Sequence, residues 1–265
     1  MSFTLTETGA EMTGLNRILL TKLLLVLSAA VGVAPALAQN QAPADREIIT
    51  VAENLYQARD GGHATVFLVT EAGVILADPL NTSFAQWLKA ELAERFNASV
   101  QYVLYSHHHW DHASGGSVFA DTARFVGHEG MLQALDRALP LYGPDISANT
   151  IDRNGDDRAS RQEVSHVGSL TRGFDRLDTN SDGELTGDEI NVDILPPEIV
   201  YSDRMKLTLG GQTVELIHSH PTHSEDMTVL HFPEQRAAFA VDFVNARRMP
   251  GPLFDFAPEN FIRAV

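Results

Sequence analysis

The sequence predicts an α/β domain interrupted by a short acidic guest segment. Three observations point to it. Runs of β-branched residues alternate with an amphipathic helical pattern up to about residue 142. A polar, acidic stretch follows, and β-type runs resume after Pro196-Pro197. With 265 residues, 44% of them hydrophobic, the chain can bury one large core and is too apolar for a disordered chain.

In order, 48–51, 64–69 and 73–77 read as strands, the last running into Asp78-Pro79. Phe84, Trp87, Leu88, Leu92 and Phe96 recur at helical spacing, with charge on the other face, and predict a helix over 82–96. Residues 100–105 form a strand that leads into a histidine cluster. Residues 123–126 read as a strand and 130–139 as a helix. Beyond the guest, 205–209, 213–217, 227–232 and 237–241 are strand candidates, with Gly210-Gly211 as a hairpin turn.

The N-terminus reads as an export signal. Arg17 and Lys22 precede an apolar run from Leu23 through Val33, which ends in Ala36-Leu37-Ala38 before Gln39. The run is short for a membrane span. We therefore expect a signal peptide over 1–38, translated from Met12, and a periplasmic or secreted chain with no stable membrane span after cleavage. The host is expected at 39–144 and 196–265, with the guest at 145–195. A net charge of −16 without any Lys/Arg run disfavours nucleic acid and anionic membranes as partners. There is no cysteine, so any metal site must use His, Asp and Glu. A small-molecule substrate is the expected partner; the sequence names no protein partner.

Residues 106–116 read Ser-His-His-His-Trp-Asp-His-Ala-Ser-Gly-Gly. His107 and His109, two apart at a strand end, can grip one cation, and Asp111 and His112 can turn toward a second. His108 and Trp110 read as spacers.

This His-x-His-x-Asp-His pattern after a strand, with small residues following, resembles the metallo-β-lactamase superfamily. The resemblance implies an αββα sandwich with metals at the sheet edge. It implies that His107 and His109 bind a first zinc, and Asp111 and His112 a second. A third histidine for the first zinc is expected within Pro221-Thr222-His223-Ser224-Glu225-Asp226, where His223 matches best and His220 is the alternative. His112 and His223 lie 111 residues apart, and the guest accounts for the excess over a usual spacing. Asp242, ending 238–242, would bridge both metals. Asp78 would support the histidine loop, and His128 is left out as a non-ligand. The family also places a final second-zinc histidine downstream of Asp242, where this sequence has none. The sandwich is therefore expected to be C-terminally incomplete.

The guest holds twelve acidic residues against five arginines. Asp178, Asn180, Asp182, Glu184, Thr186 and Glu189 occupy positions 1, 3, 5, 7, 9 and 12 of an EF-hand loop, with Gly183 at the sharp turn. A second copy has Asp152, Asn154, Asp156, Arg158, Ser160 and Glu163, with Asp157 where glycine is expected. Leu185 faces a weaker partner, Ala159, across the loop pair. A short helix over 164–177 joins the loops. One or two calcium ions are expected, as a structural staple of a small α-helical insert.

The function implied is hydrolysis of an ester, lactone, thioester or β-lactam by a hydroxide on one or two zinc ions, with Asp111 also orienting the nucleophile. Two alternatives remain. One is a calcium-binding interaction module on an inactive hydrolase scaffold. The other is an iron-dependent oxygenase on the same fold.

Overall fold

The first sheet begins as an antiparallel meander. β1 (Arg46–Ala52), β2 (Leu55–Asp60), β3 (His63–Thr70) and β4 (Gly73–Leu76) pair in sequence. The structure, a computed structural model, describes residues 45–142, 151–219 and 221–244. The expected signal peptide, residues 145–150 of the guest, His220 and residues 245–265 lie outside them.

After β4 the chain crosses through helix α1 (Thr82–Phe96) to β5 (Val100–Leu104), which pairs parallel to β4. Asn81 caps α1 by accepting from the Phe84 N–H at 2.9 Å, and Asn97 ends it in a left-handed conformation. Its Phe84, Ala85, Leu88 and Leu92 are buried. The turn α2 (Trp110–Ala113) follows β5. Then β6 (Arg124–His128) adds a further parallel strand, followed by α3 (Glu129–Leu135).

The guest contains β7 (Ala159–Ser160), α4 (Gly168–Leu177), β8 (Glu184–Leu185) and α5 (Gly187–Ile190). β7 and β8 pair antiparallel with Ala159 opposite Leu185, the contact expected between the two loops. The expected helix over 164–177 is two pieces. A 3₁₀ turn over Glu163–His166 stops at Val167, whose extended backbone separates it from α4.

The chain then returns to the first sheet. β9 (Ile199–Tyr201) lies parallel beside β6 and gives the order β1-β2-β3-β4-β5-β6-β9. β10 (Arg204–Leu209), β11 (Gln212–His218), β12 (Thr228–Phe232) and β13 (Ala237–Phe239) form a second, antiparallel sheet.

One core lies between the sheets. Leu55, Leu68, Ile75, Leu104 and Val126 meet Leu207, Val214, Leu216, Leu230 and Phe232 there. The other lies on the helix side of the first sheet and runs without a break from Phe84 and Leu88 through Trp110 to Leu170, Phe174, Leu177 and Ile190 of the guest. Host and guest thus share apolar contacts within the unit Ala42–Val265. The α/β sandwich expected from the sequence is the observed architecture. β2 and β9 are strands that the sequence pattern did not reveal.

Candidate metal centre

In sheets of this kind the carboxyl ends of parallel strands open onto a crevice. β4 and β5 end there in Asp78 and in the Ser106–His112 segment. Asp78 is fully buried. It accepts from the Ser106 N–H at 2.7 Å, from the Ser106 hydroxyl at 2.6 Å, and from His112 Nδ1 at 3.2 Å.

These bonds set the tautomers. The Ser106 hydroxyl donates to Asp78, so it accepts from His107 Nδ1 at 3.0 Å. That leaves the lone pair of His107 on Nε2, a buried atom with no hydrogen-bond partner. His112 donates from Nδ1 to Asp78 and turns Nε2 into the site. His109 directs Nε2 to the Leu141 carbonyl at 3.3 Å, which frees Nδ1 on the inner side.

Two strands of the second sheet supply the opposite wall. His223, on the loop between β11 and β12, brings Nε2 to 2.9 Å from His109 Nδ1. Asp242, just past β13 with φ at 62°, places Oδ2 at 3.4 Å from His107 Nε2, 3.2 Å from His112 Nε2 and 3.5 Å from His223 Nε2. Two groups result with ligand spacing: His107, His109 and His223, and His107, His112 and Asp242.

The electrostatics agree with a cation site. Burial, with neighbouring imidazoles, holds His107 and His109 well below the usual imidazole range, so both present neutral lone pairs. For Asp242, burial acts upward, but His112, His223 and His109 hold the carboxyl well below the usual carboxylate range. For His112, burial acts downward and is outweighed by Asp242 and Asp78. The residues therefore fit a divalent ion: buried nitrogen lone pairs face an ionised carboxylate, and the orphaned His107 Nε2 needs a partner.

Of the sequence-expected zinc ligands, His107, His109, His112, His223 and Asp242 converge. Asp111 lies beside them but belongs to neither group; its Oδ2 stands 3.4 Å from His63 Nε2. His128 is no part of the site. It accepts from the Gly130 N–H, donates to the Ser202 carbonyl, and stacks on His218 at 3.9 Å.

Sequence reasoning missed three features. His63 comes from the β2–β3 turn, whose Asp-Gly-Gly signal marks a hairpin. Tyr142 stacks flat on His109 at 4.2 Å and carries no motif. His108, read as a spacer, is buried and binds Asp226 at 2.8 Å, while Ser224 donates to the same carboxylate oxygen. That buried pair ties the motif to the loop bearing His223.

In the guest, both twelve-residue loops have one internal pattern. Asp152 accepts from the N–H groups of Gly155, Asp156 and Asp157, and Asp178 from those of Asp182 and Gly183. Glu163 accepts from Arg153 and Ser160, and Glu189 from Thr179 and Thr186. Asp157 and Gly183, both at position 6, are left-handed. The Arg158 side chain crosses to Asp182 and Glu184 of the other loop at 3.1 and 3.3 Å.

A family model described as the metallo-beta-lactamase superfamily matches residues 58–258. A metallo-β-lactamase from Pontibacter korlensis has a TM-score of 0.53 at 13% identity, over 83% of this chain and 82% of that one. A subclass B3 metallo-β-lactamase of Bradyrhizobium japonicum gives 0.50 at 16%, over 82% and 70%. These likenesses concern the fold. The alpha subunit of 2,4-dinitroanisole O-demethylase from Nocardioides sp. is 24% identical over 204 residues. Those residues are 76% of this chain, which spans 45% of that relative's length.

Proposed function

For a chain that belongs to the metallo-β-lactamase superfamily, we propose exported, zinc-dependent hydrolysis of a small ester, lactone, thioester or β-lactam, with calcium held in the guest loops. The observation that carries this reading is the facing of His107 Nε2, His112 Nε2 and His223 Nε2 around the Asp242 carboxylate, with His109 Nδ1 beside His223 Nε2. Imidazole and carboxylate without thiolate suit zinc. A bound zinc supplies Lewis acidity toward the substrate and lowers the pKa of a water.

The chain's own residues do the rest. Asp78 and Ser106 fix the rings of His107 and His112 so that both turn Nε2 inward. Asp111 lies next to those rings and orients the attacking water. Tyr142 shields one face of His109. The calcium reading rests on the oxygen sets of the two loops, and export rests on the apolar run before Gln39.

A second reading is favoured by the Nocardioides relative, whose name is that of an O-demethylase. Imidazole also suits iron, and an iron-dependent oxygenase on this fold would need oxygen.

The test uses the full chain with calcium, loaded in parallel with zinc or with iron and assayed with and without oxygen against chromogenic esters, lactones, thioesters and a β-lactam. Turnover that persists without oxygen and is lost in His107→Ala/His109→Ala supports hydrolysis. Turnover only with iron and oxygen supports the second reading. Turnover that survives the double substitution contradicts both.

A further inference from the structure

His63 belongs to no motif, yet it reaches the metal centre. It is the first residue of β3, paired with Asp60 across the tight turn at Gly61-Gly62. Gly61 is left-handed at φ 59°, and a Cβ on either glycine would meet nothing within 4 Å. The turn is thus a narrow, unobstructed arm that carries an imidazole to the open side of the site. The His63 side chain is 39% exposed, while that of Asp111 is 16% exposed.

Two adjacent pairs each have the internal spacing of ligands, although His63 and Asp111 stand outside the compact groups around His107. Four donors about 2.0 Å from one tetrahedral zinc stand about 3.3 Å from each other. His63 Nε2 lies 3.4 Å from Asp111 Oδ2, long for a charge-assisted hydrogen bond. The neighbouring pair, His112 Nε2 and Asp242 Oδ2, is 3.2 Å apart. The rings of His63 and His112 stand edge to face with centroids 6.1 Å apart, so the two pairs are neighbours that a bound ion would have to draw together.

We propose that His63 is a ligand of the second metal ion, making a four-donor set with Asp111, His112 and Asp242 for a divalent transition-metal cation. Asp111, which stands outside both compact groups, enters the metal site through this pairing. The second ion is then gripped from both halves of the first sheet: the meander supplies His63 and the parallel part supplies Asp111 and His112. The proposal rests on the metal-centre reading given above and adds a ligand to it.

The experiment uses the full chain, wild type and His63→Ala, saturated with calcium and then dialysed against cadmium-113, with histidine labelled with nitrogen-15. With calcium kept in excess during the dialysis, wild type is expected to hold two cadmium ions per chain at histidine nitrogen. A cadmium–nitrogen scalar coupling is expected on a resonance that is missing from His63→Ala. The variant should bind its second cadmium at least tenfold more weakly and its first unchanged. Two bound ions with no coupling at His63 would overturn the proposal, leaving His63 as a partner that only orients Asp111. One ion per chain overturns it while the mononuclear site stands. No bound cadmium overturns the metal-centre reading itself.

Discussion

Gly173 of the guest helix lies against the indole of Trp110: a Cβ on Gly173 would stand 2.5 Å from Cζ2 of that ring. From the same helix Arg176 covers the ring at 4.5 Å. Trp110 is the first residue of α2, and α2 carries Asp111 and His112. The guest therefore packs on the residue from which two expected metal ligands are hung. A second contact links them: the Gly187 N–H donates to the Ala138 carbonyl, three residues before the Leu141 carbonyl that accepts from His109.

Gly173→Ala should consequently disturb both parts. A methyl group cannot fit without moving α4 or Trp110, and overpacking of this kind costs about 1–3 kcal/mol. We expect a lower Tm, altered tryptophan fluorescence and weaker zinc binding. An unchanged Tm and zinc affinity would show that the guest is not coupled to α2.

Asp78 is the hub behind the histidine loop. Asp78→Ala leaves the Ser106 N–H and His112 Nδ1 without their buried acceptor, and it releases the tautomers of both rings. Outer partners of metal ligands are typically worth about 10–100-fold in affinity. Zinc titration of the variant should show a loss in that range, and Asp78→Asn a smaller one.

The pair of His108 and Asp226 predicts a pH dependence of stability. Burial acts to raise the Asp226 carboxyl, but His108 and Ser224 hold it at about 2, below its ordinary 3.8. A carboxyl depressed in the folded state stabilises the fold above its unfolded pKa, and the effect is lost as pH falls through the folded value. The shift corresponds to ~2 kcal/mol. Urea unfolding of wild type and Asp226→Asn should differ by about that amount at pH 6, and the difference should shrink between about pH 4 and pH 2. A constant difference across that range would remove this pair from the ledger of acid sensitivity.

Calcium should govern the guest more than the host. Chelation with EGTA is expected to increase protease cleavage within 151–195 while the host sheets remain protected. Glu189→Gln should mimic chelation at the second loop, because Glu189 gathers the N–H groups of Thr179 and Thr186. Arg158→Ala should tighten calcium at that loop several-fold, since it frees Asp182 from a competing cation. Protease sensitivity indifferent to EGTA would contradict the calcium reading.

Much of this was legible where the signal is local. The helix α1 matches its predicted span because five apolar residues repeat at its period and Asn81 caps it. The convergence of His107, His109 and His112 follows from their spacing after a strand. Strand β9 escaped because three residues show no periodicity, and β2 because Arg59 and Asp60 break its apolar pattern. His63 was invisible for another reason. It lies 48 residues before Asp111, and only the pairing of β3 with β4 and β4 with β5 brings the two together. The bond between His108 and Asp226 spans 118 residues and likewise depends on the packing of one sheet on the other.

The proposed metal centre is built of histidine and aspartate and is separate from the guest loops proposed to hold calcium. Its most direct test is the zinc and calcium content per chain of the full protein, for wild type and His107→Ala/His109→Ala, after equilibration with both ions. Wild type is expected to hold zinc and calcium together, and the folded double variant calcium alone. Calcium without zinc in wild type, or equal zinc in both proteins, would contradict the proposed centre.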